Sequence, residues 1–185
     1  MLLFLACAAR PTIALSDAQV VDEFKALHEP VYGVYQLSGD RHAVHGLLRG
    51  SFTGDELTRE YVEHWTTLAH MEREQTSIRV KTVDYKTVEV LDRVDDEVRV
   101  EVDWSVGGVV THQEHKHPRV NRYRAVYTMI DTGEGLRITA TRMRNLERIK
   151  NALSTTDEGL LIDELDGGGG GFMDPLELLE LMEGE

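Results

Sequence analysis

The chemistry-bearing residues of this chain gather in Thr111-His-Gln-Glu-His-Lys-His-Pro-Arg-Val-Asn-Arg-Tyr123, which holds three of the eight histidines within six residues. Neutral imidazole is a common ligand for zinc, copper or nickel. The spacing therefore offers transition-metal binding by His112, His115 and His117. Side chains of an extended chain alternate between faces, so His115 and His117 share a face and can reach one ion. His112 has the opposite parity and joins them only across a turn or bulge. Glu114 or Asp103 would add an oxygen donor.

The same alternation puts His115, His117, Arg119, Asn121 and Tyr123 on one side. This polar, partly cationic row runs into the apolar Ala125, Val126, Tyr127, Met129 and Ile130. It suits a pocket wall or binding face, or a hydrogen-bond network at a strand end. A further option is general acid–base catalysis, since histidine titrates near neutrality without tuning. Asp103, His115, His117, Arg119 and Tyr123 would be its residues. No nucleophile elbow, phosphate loop or His-Glu-x-x-His helix is present in the sequence.

The remaining histidines read as ordinary. His42 and His45 are three apart on a short helical stretch, and His28, His64 and His70 suit surface or half-buried positions. Trp65 and Trp104 read as core anchors, and Met71, Met129 and Met143 as gap fillers.

Helices come first among the elements that must position these residues. Ser16-Asp17 offers an N-cap before Ala18, Val20, Val21, Phe24 and Leu27, and Pro30 stops or kinks that helix. Arg41 to Arg49 reads as a short helix ending at Gly50. Thr53 with Glu56 forms a capping-box pattern opening a longer helix over about 54–74. From Thr76 the period changes to two. Residues 76–90 read as one bulged strand or two short ones. In 97–106 Val98, Val100, Val102, Trp104 and Val106 face one way, and Arg99, Glu101, Asp103 and Ser105 the other. Gly107-Gly108 is expected to bend this strand, and Pro118 belongs at a turn or edge. A strand from Arg119 to Ile130 leads through the hairpin loop Asp131 to Gly135 into a final strand. There Met143, Leu146 and Ile149 are expected to complete the core side.

Helices followed by long antiparallel strands resemble the NTF2-like or cystatin-like α+β architecture, in which a curved sheet of four or five strands wraps helices and forms a cone-shaped pocket. A closer likeness rests on Trp104, Gly107, Gly108, His112, His115, His117, Arg119, Asn121 and Tyr123. It resembles a group of uncharacterised bacterial exported proteins carrying an aromatic strand residue, glycine, and then H-x-x-H-x-H-x-R-x-N-x-Y. The likeness covers about 20–150. It departs at Gln113-Glu114, where such sequences often place Trp-Gly. NTF2-like domains often bind or transform small apolar molecules, which is what the resemblance implies for function.

Composition bounds the partners. The chain has 185 residues, 41% hydrophobic and 29% charged, with a net charge of −13. Ten acids and no Lys or Arg stand between Asp157 and Glu185, leaving 23 acids against 20 bases elsewhere. The acidity is thus a tail property, and nothing basic enough for nucleic acid is evident. Cys7 is the single cysteine, so no intrachain disulfide forms. Residues 1–16 resemble a signal peptide or N-terminal anchor, with Ala14 and Ser16 spaced for cleavage before Asp17. A segment docked on the core is the alternative. No run reaches the length of a transmembrane span. Residues 151–185 form an acidic, Gly-linked tail whose Asp174-Pro175 opens a short terminal helix suited to docking on a partner.

The expectation is one α+β domain over 17–150. It is a non-enzymatic exported protein, of the periplasm or cell envelope, that binds a small molecule or protein through Trp104, His115, His117, Arg119, Asn121 and Tyr123. Zinc, copper or nickel binding at His112, His115 and His117 is the first alternative, and a small-molecule acid–base enzyme the second. A homodimer through the sheet is the expected self-association.

Overall fold

The computed structural model describes residues 13–37, 39–112 and 115–149. Residues 1–12 of the leader-like segment, the acidic tail and Glu114 lie outside the described residues. Three α-helices come first: α1 (Asp17–His28), α2 (Arg41–Arg49) and α3 (Gly54–Arg73), with a 3-10 helix over Glu29–Gln36 after α1. Four strands follow: β1 (Ser77–Val94), β2 (Glu97–Thr111), β3 (Lys116–Asp131) and β4 (Leu136–Ile149). They pair antiparallel in the order β1-β2-β3-β4. The fold is α+β, with the helices packed on an open antiparallel sheet.

Local chemistry explains the boundaries. Ser16 and Gln19 cap α1 reciprocally, with Ser16 N–H donating to Gln19 Oε1 at 2.9 Å and Gln19 N–H to Ser16 Oγ at 3.4 Å. Val20, Phe24 and Leu27 then face the core. Pro30 has no amide to extend the ladder, and the chain tightens into the 3-10 helix instead of ending. Asp40 caps α2 by accepting from His42 N–H and Ala43 N–H at 3.0 and 2.9 Å. The capping box expected at Thr53 and Glu56 does not form: Thr53 makes no side-chain cap. Glu56 is buried instead, and a buried carboxylate needs a cation, here Arg59 at 2.7 Å.

Val98, Val100, Val102 and Trp104 of β2 are buried beneath the helices as their alternation requires. β1 is a single strand with register shifts at Val80/Thr82, Tyr85/Thr87 and Val90/Asp92. β2 continues through Gly107 and Gly108 to Thr111. They let β1 approach: a Cβ on Gly107 would lie 2.7 Å from Thr82 Oγ1, and one on Gly108 2.7 Å from Arg79 O. Pro118 is paired with Val109 of β2, beyond the last β4 partner in the register, Val120↔Ile149, so among the described residues β3 is locally an edge there.

The β3–β4 turn matches its reading, with Asp131 accepting from Gly133 N–H at 2.8 Å and both Gly133 and Gly135 at positive φ. Ile149 does not complete the core. Met143 and Leu146 share the helix side through the bulge at Arg124/Ala125, but both are only half-buried. Ile149, opposite Val120, falls on the other face and is 37% exposed. β4 is tied to the helical segment near its start, where Phe52 bridges Ile138 and Thr53 N–H donates to Ile138 O. Among the described residues no helix is long and apolar enough to cross a membrane.

Candidate functional site

The histidine stretch splits between a turn and a strand. β2 and β3 pair up to Thr111↔Lys116, and His112 N–H donates to His115 O at 2.9 Å. This turn supplies the change of parity that brings His112 to the others. The ligand nitrogens of His112, His115 and His117 all lie within 4.8 Å of one another, so the group can hold a metal ion. The His112 and His117 ring centroids are 5.3 Å apart but their Nε2 atoms only 3.2 Å, so these rings meet tip to tip. Tetrahedral bonds of 2.0–2.1 Å place ligand nitrogens roughly 3.3 Å apart. The pair is already at ligand spacing, and His115, exposed, has to close in.

The outer nitrogens set the protonation. Pro118 O can only accept, so His117 Nδ1, 3.3 Å away, carries the proton and its Nε2 presents a lone pair. Thr76 Oγ1 donates to Glu74 O at 3.4 Å and lies 3.3 Å from His112 Nδ1. The Thr76 hydroxyl thus engages the outer nitrogen of His112. The two Nε2 atoms are 3.2 Å apart, a hydrogen bond in which one ring supplies the proton that a bound ion would replace. Burial, then the charges of His115 and His117, hold His112 below the ordinary imidazole value.

Asp103 does not join this group. Alternation along β2 points it away from Trp104 to the open face, where Arg122 holds it by bonds of 2.9 and 2.6 Å and lowers its pKa. Its assigned parts as metal ligand and as acid–base residue therefore fall away. His115 precedes β3, so the β3 row consists of His117, Arg119, Asn121 and Tyr123. The last three form a chain: Arg119 Nε donates to Asn121 Oδ1 at 3.2 Å, and Asn121 Nδ2 to Tyr123 OH at 2.9 Å. Tyr123 lies nearly parallel to Trp104, with centroids 5.1 Å apart. Trp104, 2% exposed, donates from Nε1 to Tyr32 OH at 2.6 Å. Arg119, Asn121 and Tyr123 are on the helix side yet keep accessible surface. Trp65 is half-buried beneath the Arg41 guanidinium rather than a core anchor, because its place on α3 leaves one face to solvent.

Sequence reasoning missed His28. It is 4% exposed, with Nδ1 2.8 Å from Tyr85 OH and Nε2 3.0 Å from Tyr127 OH. Burial pushes its pKa down to about 3. Its position four residues after Phe24, on the buried face of α1, was the available signal. Glu56 and Glu60, buried on the inner face of α3 and joined by Arg59 at 2.7 Å each, were also missed. Burial, then Glu60, raises the neighbouring Glu63.

No family model matches this chain, and no curated protein matches it. Among solved structures it is similar to the intermembrane space region of chloroplast protein ARC6, at 11% identity and a TM-score of 0.49. That match covers 70% of this chain and 96% of the other. A likeness of this depth carries no argument about function, and the fold class rests on this chain's own elements.

Proposed function

We propose that this protein binds a transition-metal ion through His112, His115 and His117. The observation that carries the reading is the convergence of three imidazoles at one turn, with two Nε2 atoms 3.2 Å apart and their Nδ1 atoms engaged by Thr76 and Pro118. Outer-sphere partners of this kind orient ligating histidines. An all-imidazole set suits zinc, copper or nickel. The reading is one of binding, with no reaction assigned.

Thermal unfolding of the full chain, metal-free and then with each ion, tests it. An ion bound only to the folded state at a hundred times its dissociation constant adds about 2.7 kcal/mol. Wild type should gain several degrees and His112→Ala/His117→Ala none. An unchanged wild-type transition with all three ions removes the metal reading.

A second reading is favoured by the Arg119–Asn121–Tyr123 chain, which is half-buried and braced by Trp104 and Tyr32. It makes the helix side of β3 a ligand- or partner-binding face. Asn121→Leu, which breaks the chain, should then abolish ligand retention while leaving metal stabilisation intact. Export belongs to the same proposal: secreted protein should begin at Asp17, and a retained Met1 would end that part.

A further inference from the structure

The face of the sheet turned away from the helices carries its charges in an ordered way, and this holds independently of the metal reading. We propose that it pairs two copies of this chain face to face, about a twofold axis running along the strands. The register defines transverse rows on that face. One row reads Glu89, Glu101, Val126, Arg142 from β1 to β4, and the next reads Thr87, Asp103, Arg124, Asn145. Between Asp84 and Asp92, β1 and β2 place Asp84, Glu89, Asp92, Glu101 and Asp103 there, against Arg99 and the bulge residue Lys86. Beside them β3 and β4 place Arg122, Arg124 and Arg142, against Glu147. An acidic half and a basic half thus lie side by side on one surface.

Such a face is complementary to itself, as an isologous contact requires. Sheets stacked face to face keep their strand directions within about 30° of each other. A twofold axis along the strands lays β1 of one copy on β4 of the other, and β2 on β3. It brings Glu89 to the partner's Arg142 and Asp103 to the partner's Arg124. An axis across the strands would lay β1 on β1 and set acid against acid, so the charges select one arrangement. The side chains are accessible: Glu89 and Arg142 are exposed, and Arg124, bonded to Glu101 at 2.7 Å, is still 55% exposed. A guanidinium has five donors and can meet a second carboxylate. Four strands about 4.8 Å apart over roughly 14 residues offer a face of roughly 900 Å². A standard interface takes about 800 Å² from each partner.

Sedimentation velocity of the full chain over a wide concentration range tests this, in chelator so that no metal ion bridges copies. Wild type should pass from monomer to dimer as concentration rises, and added salt should weaken the dimer. Glu89→Arg and Arg142→Glu should each weaken it about tenfold, with circular dichroism showing both variants folded. Mixed together, the two variants should dimerise about as tightly as wild type, because the contacts between them again join opposite charges. Glu89 and Arg142 stand on β1 and β4, three strands apart, so this recovery cannot arise within one chain. A monomer at every concentration overturns the proposal. A dimer unmoved by salt and by both substitutions lies on another surface and overturns it too. Variants that are weakened singly and do not recover on mixing overturn the axis along the strands.

Discussion

His28 and the turn histidines carry the same ring into opposite surroundings. His28 lies in the core, where two phenols, Tyr85 and Tyr127, occupy both of its nitrogens and aromatic rings close around it. His112, His115 and His117 sit where β2 turns into β3, with nitrogens directed at one another and with access to solvent. An imidazole whose two nitrogens are satisfied inside the protein is a strut, with no capacity left for a ligand. One whose outer nitrogen is held and whose inner nitrogen meets only another imidazole can exchange that contact for a metal ion. The difference is one of hydrogen-bond accounting rather than residue type, and each half of it can be broken separately.

The largest effect should come from acid. His28 titrates at about 3 in the fold against an ordinary value of 6.5. The fold holds it neutral, so its contribution is fully present above pH 6.5 and is lost as pH falls towards 3. The full loss is about 5 kcal/mol. Denaturant unfolding followed between pH 7 and pH 3 should show this slope in wild type and a flatter one in His28→Leu. Parallel slopes would mean that His28 does not titrate as its surroundings demand.

At neutral pH the same substitution should cost about 3 kcal/mol, because it strands the buried Tyr127 hydroxyl. Tyr85, half-buried, can turn to water. Tyr127→Phe in the His28→Leu background should recover part of the loss. A double variant no more stable than the single would show that the cost lies in packing.

The scaffold was legible where one pattern dominates locally. The period of two through Val98, Val100, Val102 and Trp104 and the Asp131–Gly135 turn are visible in the sequence because each is decided by neighbours in the chain. What was hidden depends on distant partners. Nothing near Glu56 announces that Arg59 will hold it inside rather than Thr53 at the helix start. His28 looks like the end of a helix until Tyr85 and Tyr127 arrive from β1 and β3. Arg122, paired with Ser105 in the register, took Asp103 out of the candidate site. The three histidines were legible as a group, but whether His112 joined depended on a turn whose geometry parity alone cannot supply.

Smaller effects are expected at the turn. Thr76→Val removes the partner of His112 Nδ1, 3.3 Å away. Zinc affinity should fall about tenfold, as for other outer-sphere partners, with little change in metal-free stability. Isothermal titration beside thermal unfolding checks both halves, and unaltered affinity would leave Thr76 no part in orienting the ring.

The smallest stability change should be that of His115→Ala without metal. The side chain is exposed and lies outside the sheet, and substitutions at such sites usually stay within about 0.5 kcal/mol. With excess zinc the variant should nevertheless lose much of the stabilisation that wild type gains, because two imidazoles cannot make the three-ligand site. Loss of stability without metal would make His115 a structural residue like His28. Full retention of zinc stabilisation would reduce the site to the His112–His117 pair, whose Nε2 atoms already stand at ligand spacing. The contrast between core and turn holds only if this one substitution is silent in the absence of the ion and costly in its presence.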